Sequence, residues 1–499
     1  MALSEARDYD ARMTESNRFM KGAFVDALDQ LIAHIEATEH GEKPATGYLP
    51  LSQLLDGLQL EQKLDRPPLD EAEFAEFLTG YLSHSVQLHH PLHAAHQVAI
   101  PDAASALASL VNGFMNNPMA IYEMGPVGAA IEFVVVNWML KHVGWTEQPR
   151  RPAAGLTHGA GVLTHGGSLA NLTGLLAARA RIAPHAWEHG VPNDLTVLVS
   201  PVAHYSVARA VAILGLGERA IVHLPCDELG RVDASAIEYT INETEASGRR
   251  VMAVIANACA TATGLHDPLR AMGEVCRRRN VFFHVDACHG ASALLHADTK
   301  HYLDGIELAD VVIWDAHKML QVSALCAAVL FRDHRSFDVA FSQKASYLAY
   351  GRDAESYDSL PRAVECTKSA MGVKVYFNLL LRGENALGQF VADRYSMGKV
   401  AYDRIVARER FSCPYVPETN IICFRIDGDD ALQQSIRDQL VAERLAHLTT
   451  AEVDGMTYLR MTLMNPLTDA HAIDAILDLI EQKADSLRDA VAENSRVAS

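Results

Sequence analysis

The sequence lacks any cluster of Lys and Arg, any long uninterrupted apolar run, any Cys-x-x-Cys pair, and any internal repeat or low-complexity tract. Each absence removes a class of function. Binding a nucleic-acid backbone or an anionic membrane needs cations gathered on one face, whereas these 499 residues carry a net charge of −19. Neither nucleic acid nor membrane is expected as a partner. The longest apolar stretch, Gly128 to Leu140, is interrupted by Glu132 and Asn137, and Met1 to Asp10 carries acidic residues without the apolar core of a leader peptide. A soluble, cytoplasmic protein is expected. The eight cysteines, at 226, 259, 276, 288, 326, 366, 413 and 423, are scattered, which suits small core residues in a reducing compartment rather than a zinc site or redox couple. Histidines recur in His89-His90-Pro91-Leu92-His93-Ala94-Ala95-His96. No carboxylate or cysteine completes a ligand set there and Pro91 breaks the helix that would align the rings, so no metal is expected.

What is present is an apolar fraction of 49%, enough to fold, on a chain too long for one core. The apolar patterns in Phe24 to Ile32 and Phe74 to Leu78, joined by a polar linker ending at Pro67-Pro68, read as helices of an arm without its own core. From about residue 150, short β-rich runs alternate with helical periods. The runs are Leu195 to Val199, Ala220 to Leu224, Val251 to Ala256, Val281 to Val285, Val311 to Trp314 and Ala327 to Phe331; the helices between them include Leu169 to Arg181, Val207 to Leu214, Ala234 to Glu245 and Leu269 to Arg279. Such alternation predicts an α/β fold with a mostly parallel sheet covered on both faces and ligands beyond the strand carboxyl ends. A polar loop, Ser342 to Pro361, precedes a helix expected from about Cys366 to Leu381. The C-terminal α+β region has strands at Ile421 to Arg425 and Thr457 to Thr462 and a closing helix from Ala470 to Leu487. The expected division is an N-terminal helical arm at 1–97, a large domain at 98–375 and a small C-terminal domain at 376–499.

Three short segments carry chemistry. His284-Val285-Asp286-Ala287-Cys288-His289-Gly290 closes one strand, and about thirty residues later Trp314-Asp315-Ala316-His317-Lys318-Met319-Leu320 closes the next. A strand-end lysine can bond covalently to an aldehyde, and a strand-end aspartate can keep a pyridine nitrogen protonated so that the ring accepts electrons; together they suit pyridoxal 5'-phosphate. Upstream, Leu163-Thr164-His165-Gly166-Gly167-Ser168-Leu169-Ala170-Asn171-Leu172 places glycines and a serine at the start of a helix, where free N–H groups and peptide dipoles favour a phosphate. His204, in Val202-Ala203-His204-Tyr205-Ser206, begins a helix directly after a strand, where its ring could lie flat on a cofactor. Asn116 and Asn117 offer amides that could donate to a distal substrate carboxylate.

The ordered set Gly-Gly-Ser-x-x-Asn-Leu, Ala-His-Tyr-Ser, His-Val-Asp-Ala and His-Lys-Met resembles the group II pyridoxal phosphate-dependent amino acid decarboxylases of fold type I, nearest the glutamate and cysteine sulfinate decarboxylase branch. His90-Pro91, His96-Gln97, Tyr122 to Val127 before Val143-Gly144-Trp145, and Leu459-Arg460-Met461 before Asn465-Pro466 extend the resemblance over about residues 80 to 470. It implies an aspartate aminotransferase-like large domain with a seven-stranded sheet. It also implies that Lys318 is the covalent attachment point of the cofactor, that Asp286 pairs with its ring nitrogen, that Ala287 or Cys288 packs on one ring face and that His204 stacks on the other. Gly167 and Ser168 would hold the phosphate, with Asp315 beside it and His317 assisting. Arg460 would anchor the substrate α-carboxylate and Gln97 would line the pocket.

The resemblance places a mobile catalytic loop at Ser342 to Pro361, with Tyr350 as candidate proton donor, while Tyr357 matches a different position. Asp315 stands where many relatives have asparagine, so a second negative charge near the phosphate requires compensation from His317 or another cation. Ala256 to Gly264 departs from the usual Gly-Thr-Thr core of that strand. The expected activity is α-decarboxylation of an L-amino acid to its amine and CO2. A small acidic substrate (aspartate, glutamate or cysteine sulfinate) is favoured. The alternatives are a basic one such as 2,4-diaminobutyrate, or another reaction on the same cofactor, such as oxidative deamination or transamination. The family forms dimers with active sites at the subunit interface, so a homodimer sharing its sites is expected.

Overall fold

The computed structural model describes residues 2–151, 155–341 and 357–497. Seven strands form the large sheet: β1 (Ala160–Thr164), β2 (Leu195–Val199), β3 (Ile221–His223), β4 (Arg250–Asn257), β5 (Phe282–Asp286), β6 (Val311–Asp315) and β7 (Ala327–Phe331), in the order β1-β7-β6-β5-β4-β2-β3. β7 runs antiparallel to both of its neighbours, and every other pairing in the sheet is parallel. The seven-stranded, mostly parallel sheet and the α/β class are borne out. Every residue of β1, β2, β5, β6 and β7 is buried, as strands covered on both faces must be.

Alternation along the strands sends successive side chains to two separate cores. Val312 and Trp314 pack with Leu163, Phe283 and Leu140 on one face, whereas Val311 and Ile313 pack with Val162, Phe282 and Leu175 on the other. The helices before and over this sheet are α1 (Ala2–Glu39), α2 (Leu51–Leu58), α3 (Glu71–His84), α4 (Ala103–Met115), α5 (Pro126–Val143) and α6 (Gly167–Ile182). α6 crosses the sheet closely because Gly174 carries no side chain: a Cβ there would lie 2.9 Å from the His284 ring.

β1 is an edge strand, and side chains from distant segments cover its free margin. Tyr357 Oη donates to Gly161 O at 2.9 Å, Lys368 Nζ donates to Leu163 O at 2.6 Å, and Glu132 Oε1 accepts from Leu163 N at 3.1 Å. Lys368 and Glu132 also pair with each other, both almost wholly buried. This pairing corrects one expectation. The helix anticipated from Cys366 begins at Gly372 instead, because Lys368 is turned inward to Glu132 and its carbonyl accepts from Met119 N at 2.7 Å. The linker between the first two helical patterns also contains α2, whose Leu51, Leu54, Leu55 and Leu58 follow a helical period.

The smaller sheet, β8 (Phe411–Ser412), β9 (Ile421–Ile426), β10 (Thr449–Val453) and β11 (Met456–Thr462), is antiparallel in the order β10-β11-β9-β8. Helices Asp430–Ala442 and Ala470–Val497 close its core around Phe424, Ile436, Leu459 and Ile476. At the other end, α3 opens with a capping box between Asp70 and Glu73. Phe24 of α1 meets Phe114 of α4 with ring centroids 5.4 Å apart, and Val25, Leu28, Leu107, Leu110 and Met115 remain exposed around them. No helix among the described residues is long and apolar enough to cross a membrane.

Candidate active site

β5 and β6 end side by side, and β1 ends level with β6 across β7, since Thr164 and Asp315 both oppose Ala327. A cleft of about 260 Å³ opens at these carboxyl ends, where an open α/β sheet leaves room for a ligand. Its walls bring together Gly167, Ser168, His204, Asp286, Cys288, Asp315, His317 and Lys318.

Asp286 is the most tightly held of these groups. Its Oδ2 accepts from Asn171 Nδ2 at 2.8 Å and its Oδ1 from Cys288 N at 3.2 Å. Burial opposes its ionisation, but the hydrogen bonds from Cys288 and Asn171 and the nearby Lys318 charge outweigh that and hold its pKa below the usual carboxylate value. Asn171 extends the network in two directions. Its Oδ1 shares a 2.7 Å hydrogen bond with His284 Nε2, and its Nδ2 also donates to Ser206 Oγ at 3.0 Å. Ser206 in turn meets His204 Nδ1 at 2.8 Å, which orients the imidazole expected to stack on the cofactor. Burial, first of all, keeps both His204 and His284 below the ordinary histidine value, His284 at about 4.

Lys318 Nζ lies 3.3 Å from Asp315 Oδ2. Burial alone would lower its pKa, yet the carboxylates of Asp315 and Asp286 outweigh this and raise it. His317 Nε2 stands 3.7 Å from the same Asp315 oxygen, and its Nδ1 lies 2.8 Å from Cys326 O. The start of α6 forms a cradle. Gly166 has φ +100°, and no side chain caps the helix N-terminus. A Cβ on Gly167 would fall 2.6 Å from Cys288 Sγ and 3.0 Å from Asp315 Oδ2, so only glycine leaves this space open.

The remaining expected residues lie elsewhere. Ala287 is fully buried in the core behind the cleft. Arg460, on β11, donates to Thr261 O at 2.7 Å and Ala262 O at 3.0 Å, which places its guanidinium behind Thr261, a residue of the cleft wall. Gln97 has a buried Nε2 with no hydrogen-bond partner but is not part of the described wall. Asn116 is exposed at the end of α4 in the left-handed region (φ 46°), away from the cleft. Tyr350 lies outside the described residues. Tyr357 is buried, and burial pushes its pKa up to about 12; its hydroxyl is committed to Gly161.

Sequence reasoning assigned no role to Asn171, Ser206, His284, His289 or His165. The first two stand in the quoted motifs Gly-Gly-Ser-x-x-Asn-Leu and Ala-His-Tyr-Ser, and their value emerges only when α6 is laid across β5. His165 lines the cleft, meets Ser369 Oγ at 3.0 Å and pairs with Glu365.

A strand-end lysine, a buried ionised aspartate and an open helix N-terminus around one cleft define a site for a phosphorylated aldehyde cofactor. The pattern of the pyridoxal-dependent decarboxylase conserved domain matches residues 59–427, and the chain belongs to that family. It is a pyridoxal phosphate-dependent carboxy-lyase that decarboxylates amino acids, and the resemblance read from the sequence is borne out. The chain is 28% identical to an L-2,4-diaminobutyrate decarboxylase of Rhizobium meliloti (strain 1021) over 95% of its own length and 93% of the relative's. It is 29% identical to the acidic amino acid decarboxylase GADL1 of Mus musculus over 80% and 72% of the two chains. The crystal structure of mouse CSAD superposes with a TM-score of 0.85 at 24% identity, covering 93% of this chain and 98% of the other; this places the fold among type I enzymes.

Proposed function

We propose that the chain converts a short L-amino acid with a charged side chain to its amine, using Lys318 as the covalent attachment point for the cofactor and Asp286 as the partner of its ring nitrogen. The carrying observation is that these two side chains share one cleft, with Asp286 kept anionic by Asn171 and Cys288. Bound pyridoxal phosphate supplies an electron sink for the pair left when CO2 departs.

The chain's own groups do the rest. Asp286 would keep the ring nitrogen protonated, and His204, aligned through Ser206, and Cys288 would hold the ring between them. Gly167, Ser168 and His317 would hold the phosphate. Arg460, placed behind Thr261, would hold the substrate α-carboxylate in the orientation that favours its loss as CO2. Gln97, whose Nε2 has no partner, would reach the substrate from beyond the described wall. A proton must then reach the α-carbon, and Tyr350 is the candidate donor.

The named relatives support a charged substrate side chain, since by name two act on L-2,4-diaminobutyrate and others on acidic or sulfinic amino acids. GADL1 and the sulfinic acid decarboxylase relatives support an acidic substrate. A second reading, 2,4-diaminobutyrate, is favoured by a specific observation: Glu365 has one buried oxygen without a partner beside the cleft residue His165. Measuring CO2 release from aspartate, glutamate, cysteine sulfinate, 2,4-diaminobutyrate and ornithine, with phenylalanine, tyrosine and tryptophan as contrasts, tests both. Release from aromatic substrates alone would overturn them. Lys318→Ala is expected to abolish both turnover and the visible absorbance of the reconstituted protein; retention of either removes Lys318 from its role.

The proposed assembly is a homodimer. The exposed apolar residues around Phe24 and Phe114 form a patch that a second copy would cover. Asn116 sits beside that patch, so it would reach substrate only across the subunit boundary. Sedimentation of a fully active monomer would refute the dimer.

A further inference from the structure

Asp315 is buried within the phosphate cradle. Its Oδ1 has no hydrogen-bond partner, and its two oxygens lie 3.0 and 3.1 Å from the position a Gly167 Cβ would take. The cations that face it are poorly placed to neutralise it once cofactor is bound. Lys318, 3.3 Å away, is the nitrogen that must turn to the cofactor aldehyde. His317 stands at 3.7 Å, with its other ring nitrogen beside the Cys326 carbonyl. The other titratable side chains packed around Asp315 are anions, neutral groups or members of an ion pair, and the positive N-terminus of α6 beside it is the place the phosphate itself would take. The end of β5 brings the Asp286 carboxylate and, just beyond it, Cys288, whose thiol burial keeps protonated; the helix start after β2 brings His204, which burial keeps from charging; and the end of β1 brings His165, already paired with Glu365. A phosphate ester carries close to two negative charges above pH 6. Two anions in contact in a buried site cannot both remain fully ionised.

We propose that binding of pyridoxal 5'-phosphate takes up one proton from solvent, shared between the Asp315 carboxylate and the cofactor phosphate, so that Asp315 makes cofactor retention weaken as pH rises. No bond to carbon or phosphorus changes; the proton bridges two oxygens. The inference rests on placing the phosphate at the start of α6. An asparagine at 315 would donate an N–H to the phosphate instead and need no proton, which is the chemical difference between this chain and the asparagine-bearing relatives.

The experiment compares dissociation constants of pyridoxal 5'-phosphate and of unphosphorylated pyridoxal, read by cofactor absorbance, for the wild type and Asp315→Asn between pH 6.5 and 8.5. The wild-type to variant ratio for the phosphorylated cofactor is expected to rise about tenfold per pH unit, one proton's worth, while the ratio for pyridoxal stays flat. A ratio that differs from one but does not change with pH overturns proton sharing and leaves the phosphate placement standing. Identical affinities in both proteins for both ligands overturn the placement as well. If Asp315→Asn fails to fold, calorimetry on the wild type at pH 8 in buffers of different ionisation enthalpy decides: about one proton more is taken up with pyridoxal 5'-phosphate than with pyridoxal, and no difference refutes the proposal.

Discussion

His93 is an imidazole at 5% exposure, folded against His447 beside the smaller sheet, and neither of its ring nitrogens has a hydrogen-bond partner of good geometry. Its ring meets His447 edge-on, with centroids 4.8 Å apart. Burial, and then the neighbouring His447 and His96 rings, pull its pKa down to about 3 against a smaller upward pull from the Ala45 backbone. In the unfolded chain the same group titrates near about 6.5. Below that pH the unfolded state binds the proton and the native state does not, so the stability is complete above pH 6.5 and is lost progressively on acidification towards 3. For His93 alone the loss amounts to about 1.4 kcal/mol at pH 5.5 and about 2 kcal/mol at pH 5, with almost none at pH 8. His93→Phe keeps an edge-to-face ring and removes the titration. Urea unfolding followed by tryptophan fluorescence, at fixed protein concentration and pH 8, 7, 6 and 5, is expected to show the variant at least as stable as the wild type at pH 8 and gaining on it by about 2 kcal/mol by pH 5. Curves that stay parallel across this range would refute the account of His93 as a proton-excluding core residue. His284 and His447, each held at about 4, and His289, held at about 3, all chiefly by burial, keep an acid sensitivity in both proteins.

Asn171→Ala removes a donor to the Asp286 carboxylate and leaves His284 Nε2 without its partner; a loss of about 3 kcal/mol in thermal unfolding is expected, together with weaker cofactor binding. Unchanged cofactor affinity would sever the link between Asn171 and the ring nitrogen. Lys368→Met leaves Glu132 buried and unpaired beneath β1, and about 3–5 kcal/mol of stability should disappear, most of it returning in the double variant Lys368→Met/Glu132→Leu. A double variant no better than the single one would show that the charge itself is not the cause.

Legibility in the sequence followed the distance over which each feature is determined. The helix Leu269–Arg279 and the strands Leu195–Val199 and Ala327–Phe331 were read to the residue, because a local apolar period and adjacent turn residues define them. Lys318, Asp286, His204 and the Gly167–Ser168 turn were found because each sits at the end of such an element. Features that depend on distant partners were not readable. Lys368 meets Glu132 across 236 residues, and that contact moved a helix start from Cys366 to Gly372. β10 is too polar, with Thr449, Thr450 and Glu452, to show as a strand until β11 pairs with it. Helix Asp430–Ala442 also passed unread, although Leu432, Ile436 and Leu440 recur at a helical period. Asn171 was visible as a letter in a motif, but its three partners come from β5 and from the helix after β2, which no spacing rule brings together.

The side chains laid along the free margin of β1 have a bearing on how the protein keeps its own company. Tyr357, Lys368 and Glu132 occupy backbone groups of Gly161 and Leu163 that would otherwise invite another strand to dock, and the opposite margin, β3, is only three residues long. Crowded copies therefore have no lateral ribbon on which to stack into fibres through the large sheet. Truncating Tyr357 and Lys368 together would turn that sealed border into a template for polymerisation.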